Sequence, residues 1–72
     1  MPNVERIRIE VELSDGEAWQ LAQFIKRVRF EQALELTESG QSREARDDQA
    51  YAMLYALDLV AGALKVKGYA PR

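Results

Sequence analysis

The 72-residue chain contains no histidine and no cysteine, so any chemistry it performs rests on carboxylates, hydroxyls and amines. Missing histidine removes the commonest general base, and missing cysteine removes the thiol nucleophile. The same two absences exclude disulfides and a structural zinc site. Ser14, Ser39 and Ser42 all fall where a helix cap or a turn is expected, and none lies in a Gly-x-Ser-x-Gly elbow. Gly16, Gly40, Gly62 and Gly68 are scattered, forming neither a phosphate-binding loop nor a dinucleotide fingerprint. Glu31 and Glu35 stand one helical turn apart and can share a cation, but two carboxylates without histidine or a calcium-loop pattern do not define a metal site. Lys26, Arg27 and Arg29 are flanked by Glu31 and Glu35, which dilute their field, and fit surface ion pairs better than a phosphate site. No cofactor motif and no catalytic constellation is present, so the chain is expected not to be an enzyme.

Composition bounds the remaining classes. The chain is 47% hydrophobic and 31% charged, which describes one small globular domain over residues 1–72. The net charge of −2 is no footprint for nonspecific nucleic-acid binding, so nucleic acid is disfavoured as a partner. The first residues lack the basic-then-apolar pattern of an export signal. The apolar run from Ala52 to Leu64 carries Asp58 and is too short to span a bilayer. A soluble cytoplasmic protein without a membrane partner is expected.

Three elements must position whatever the chain binds with. Ile7, Ile9, Val11 and Leu13 alternate with Arg6, Arg8, Glu10 and Glu12, which predicts a strand over about 4–13 with one buried face. Ser14 followed three residues later by Glu17 matches a capping box, so a helix is expected from about 15 to 39, with Gly40 as its stop. Ala18, Leu21, Ala22, Ile25, Val28 and Leu36 mark one side of it. A second helix is expected over about 43–67, with Ala50, Met53, Leu54, Leu57, Ala61 and Leu64 on one side, followed by a tail at 68–72. The predicted fold class is α+β and mostly α: a strand followed by a long antiparallel helical hairpin.

A lone strand needs a partner, and this one is self-complementary. Paired antiparallel with a copy of itself about Ile9, it sets Arg6 against Glu12, Arg8 against Glu10 and Ile7 against Val11. A homodimer sharing that ribbon is therefore expected. The helices carry a second apolar stripe, Trp19, Phe30 and Leu34 on the first and Tyr51, Tyr55 and Leu59 on the second, which calls for a further partner or an oligomer contact. The segment from Glu31 to Asp48, with Glu35, Glu38, Glu44 and Asp47 between them, is expected to make an acidic hairpin tip. It suits solubility or a basic groove on another protein.

The segment from Leu13 to Arg27 and the ending Gly68-Tyr69-Ala70-Pro71-Arg72 resemble those of small uncharacterised proteins of proteobacteria and their mobile elements, a resemblance that implies no activity. The expected topology also resembles ribbon-helix-helix repressors, which implies a DNA-binding regulator with Arg6 and Arg8 as base readers. Against this, the first helix is about twice the length that fold uses, and Glu10 and Glu12 would face phosphate. Size and acidity are similar to those of anti-CRISPR inhibitors. The leading expectation is a homodimeric, non-enzymatic protein that binds and inhibits or modulates another protein; the DNA-binding regulator is the alternative.

Overall fold

The computed structural model describes residues 5–72. Its first helix starts where the capping box places it. Ser14 Oγ accepts the Glu17 backbone N–H at 3.1 Å, and the Glu17 carboxylate accepts the Ser14 N–H at 2.8 Å. Two otherwise orphaned donors are thereby satisfied, and α1 runs Asp15–Arg27. The Ser14 donors hold the Glu17 carboxyl below its ordinary value.

The first helix does not continue to residue 39. Val28 and Arg29 are extended, at φ −66°, ψ 137° and φ −116°, ψ 166°. A short helix, α2, then runs Phe30–Glu35. Neither proline nor glycine causes this break, and the physical reason lies in the phase of the apolar residues. At 100° per residue, the face formed by Ala18, Leu21, Ala22 and Ile25 is about 120° away from that formed by Phe30, Ala33 and Leu34. One continuous helix cannot bury both faces on one neighbour. Two extended residues reset the phase, and the Gln32 side-chain oxygen accepts the Arg29 N–H at 2.9 Å to start the new helix. Leu36, expected on the inner side of a continuous helix, is consequently outside α2 and 72% exposed.

The third helix, α3, runs Arg43–Val66, capped by Ser42 Oγ accepting the Ala45 N–H at 3.1 Å. It is the common scaffold: α1 and α2 each pack on α3 and not on each other. The contacts centre on small residues. Ala18, Ala22, Ala33 and Ala50 are the buried apolar residues, while Leu21, Ile25, Phe30, Leu34, Met53, Leu54, Leu57 and Leu64 are half-buried. Alanine lets helix backbones approach closely, at the expense of a core with little volume.

The predicted strand is overturned. Residues 5–14 precede α1 as a segment that is neither strand nor helix, and among the described residues no strand or sheet occurs. The fold is therefore helical rather than α+β, and the ribbon pairing Arg6 with Glu12 and Arg8 with Glu10 goes with the strand. Val4, where that strand was expected to begin, lies outside the described residues. Alternating polarity shows that a segment can bury one side; it does not supply the hydrogen-bonded neighbour that makes a strand.

The turn from α2 to α3 is held by polar groups. Arg46 Nε donates to Thr37 Oγ1 at 2.9 Å and its Nη2 donates to the Leu34 carbonyl at 3.1 Å. Thr37 Oγ1 in turn donates to the same carbonyl at 2.7 Å. Gly40, at φ +85°, takes the left-handed conformation that the reversal needs. The guanidinium thus stitches the end of α2 to the start of α3.

Two outcomes follow. Arg46→Ala, which strips donors from a half-buried carbonyl and hydroxyl, is expected to cost about 1–2 kcal/mol in chemical unfolding. Stability contributed by Glu17 is present above its ordinary value of 4.5 and is lost as the pH falls through its lowered value in the folded chain. Glu17→Gln, which keeps the capping geometry but does not titrate, is expected to flatten that acid limb of the unfolding midpoint.

Candidate interaction surfaces

The structure brings together some of the residues singled out by sequence and separates others. Trp19 leaves the proposed outer stripe: its ring meets Tyr69 edge-on, with centroids 5.1 Å apart and planes at 73°. The geometry begins at Gly68, whose φ of +98° ends α3 in a Schellman turn. The Tyr69 N–H donates to the Leu64 carbonyl at 2.9 Å and the Gly68 N–H to the Lys65 carbonyl at 3.0 Å. So turned, the tail runs back along α1. Tyr69 Oη donates to Asp15 Oδ1 at 2.7 Å, and Lys26 Nζ donates to the Pro71 carbonyl at 3.1 Å. Asp15 raises the Tyr69 phenol above its ordinary value by accepting its proton in that bond. This clasp was not foreseen, although a glycine stop followed directly by an aromatic residue was its visible signal.

Phe30 and Leu34 are half-buried on α2 and turn toward α3. There the Phe30 ring lies 4.8 Å from that of Tyr51, and Tyr51 lies 6.2 Å from Tyr55 with planes 22° apart. These three rings form a ladder that continues along α3 through Leu59 to Val66. Tyr55 and Leu59 are each 68% exposed, and Val66 83%. Leu59 and the tyrosines are therefore exposed along α3, with Tyr51 at the edge that meets Phe30 of α2 and Tyr55 at the edge of the groove shared with α1.

The acidic tip is partly consumed by the turn. Arg43 Nε donates to Asp47 at 2.8 Å, and Glu38 accepts from the Gln41 amide at 3.0 Å. Gln49 bonds both Gln41 and the Glu38 backbone. Glu35, Glu44 and Asp48 remain exposed. Among the described residues no group of three or more acidic side chains is placed to hold a metal ion.

The N-terminal segment is the most open surface. Arg6, Arg8, Glu10 and Glu12 are exposed, and so are Ile7 at 84%, Ile9 at 73%, Val11 at 67% and Leu13 at 40%. Apolar side chains here have no cover from the helices. The grooves are shallow by contrast. One of about 310 Å³ between α1 and α3 is lined by Ile25, Val28, Leu54, Tyr55, Leu57 and Asp58. Asp58 is the one carboxylate lining it and also lines an adjoining groove with Lys26 and Lys65, so the arrangement offers contact surface and no paired carboxylates. No helix among the described residues is long and apolar enough to cross a membrane.

A family model described as "Family of unknown function (DUF7706)" matches residues 1–72, and the chain belongs to that family. No curated protein and no solved structure matches the chain. The two segments that carry the resemblance to uncharacterised proteins, Leu13–Arg27 and Gly68–Arg72, are those that the Tyr69 clasp joins.

The clasp gives a graded expectation. Tyr69→Phe keeps the ring contact and removes the bond to Asp15, whereas Tyr69→Ala removes both. In thermal unfolding the alanine variant is expected to melt well below the phenylalanine variant, and Trp19 fluorescence to shift to the red only in the former.

Proposed function

We propose that this member of a family of unknown function is a non-enzymatic protein that binds another protein through residues 5–14 and thereby modulates it. The observation that carries the reading is the exposure of Ile7, Ile9, Val11 and, to a lesser degree, Leu13 on a segment that is neither helix nor strand. Apolar side chains in a row, each flanked by charge, suit a partner with a lipophilic groove and a polar rim. The charged flanks, Arg6 and Arg8 against Glu10 and Glu12, give that segment a direction, cationic at one end and anionic at the other.

Two further points support binding over catalysis. Histidine and cysteine are absent from the sequence, and Asp58 in the groove between α1 and α3 has no second carboxylate beside it. The DNA-binding alternative drew on a strand ribbon to present Arg6 and Arg8. The described residues form no strand, and nothing else in the structure favours that reading.

Affinity capture from host extract tests the proposal, with nuclease-treated and untreated halves compared. Wild-type chain is expected to retain a protein in both halves, and Ile7→Ser/Ile9→Ser is expected to lose it while keeping helical content and melting temperature. A partner that survives in the double variant, or that disappears on nuclease treatment, contradicts the proposal.

A further inference from the structure

We infer that the outer face of α3 docks a second copy of the chain, α3 against α3 and antiparallel. This goes beyond the partner-binding reading, because it concerns a different surface.

The inference starts from the sequence of α3. Between Gln49 and Leu64 its one charged residue is Asp58, which lies on the α1 side and lines the groove with Ile25 and Val28. Turning 100° per residue, Tyr51, Ala52, Tyr55, Ala56, Leu59, Gly62, Ala63 and Val66 fall within a sector about 140° wide. All eight are exposed. The opposite sector holds Ala50, Met53, Leu54, Leu57, Ala61 and Leu64, which are buried or half-buried. Helix α3 is thus apolar on two sides, and of its outer side only the edge at Tyr51, against Phe30, and Tyr55, at the α1 groove, meets another element. Ala52, Leu59 and Val66 recur every seven residues, as do Tyr55 and Gly62, the spacing that lets two helices follow one another.

Charge selects the occupant and its direction. The N-terminal end of this face carries Glu44 and Asp48, and its C-terminal end is flanked by Lys65 and Lys67; all four are exposed. A parallel copy sets like charges side by side at both ends. An antiparallel copy, with the two-fold axis between Tyr55 and Leu59, brings Asp48 level with Lys67 of the second copy. The same register sets Leu59 against Ala56 near the axis, a large side chain against a small one, and Ala52 against Ala63 farther out, where two small residues let the backbones approach; helix dipoles oppose. The face is complementary to itself.

The area agrees. The chain exposes 6453 Å² at 8.2 kDa, whereas a folded monomer of that mass exposes about 4,500 Å². A stable interface removes about 800 Å² from each partner. One copy on α3 therefore accounts for part of the surplus.

Light scattering and sedimentation equilibrium of the full chain at micromolar concentration give the test. Wild type is expected to show twice the chain mass. Asp48→Lys, on the surface and outside every contact within the chain described above, is expected to weaken self-association about tenfold while far-UV circular dichroism stays unchanged. Adding Lys67→Asp to it is expected to restore the wild-type constant. A monomeric wild type overturns the inference, and so does a double variant no tighter than Asp48→Lys alone. Capture of another protein reads residues 5–14 and mass reads α3, so the two proposals fail separately.

Discussion

Everything in this small fold depends on one helix having more apolar surface than its neighbours cover. Helix α3 is 24 residues long, and the chain preceding it supplies α1 of 13 residues and α2 of 6. Covering the inner side of α3 with both requires each to turn its own apolar face the same way. The extended pair Val28 and Arg29 meets that requirement. Without the break, burying Ala18 and Ala22 would swing Phe30 and Ala33 away from α3, forfeiting the contacts that hold the second half of the hairpin.

The resulting core is shallow. Its buried members are alanines, and the larger aliphatic residues reach only half-burial. At roughly 25 cal/mol per Å² of apolar surface removed from water, such a core contributes modestly. Polar fastenings at the ends take on corresponding weight. Ser14 with Glu17, Arg46 with Thr37 and Leu34, and Tyr69 with Asp15 each hold one end of a helix to the chain beyond it. The same shortage leaves apolar side chains of residues 5–14 and of the outer face of α3 exposed.

Local signals in the sequence were legible, and long-range ones were not. The Ser14–Glu17 capping box and the glycine stop at Gly68 appear in the structure because each is complete within a few residues. The strand expected over about 4–13 does not form among the described residues because alternation describes a side chain's preference and not a neighbour's presence. The stripe of Trp19, Phe30 and Leu34 was read as a second face of one helix. It records two separate events: the phase jump at Val28–Arg29, which turns Phe30 and Leu34 toward α3, and the return of the tail, which covers Trp19 with Tyr69. A displaced apolar phase without proline or glycine was visible in the residues themselves. Arg46 gave no such signal, since only the closed turn puts its guanidinium within reach of the Leu34 carbonyl.

Two extended residues reset the helical phase so that α1 and α2 share α3. Backbone carbon chemical shifts of the full chain measure this directly. Extended-type secondary shifts are expected at Val28 and Arg29 alone between helical shifts at Asp15–Arg27 and Phe30–Glu35. Unbroken helical shifts from Asp15 through Glu35 would contradict it.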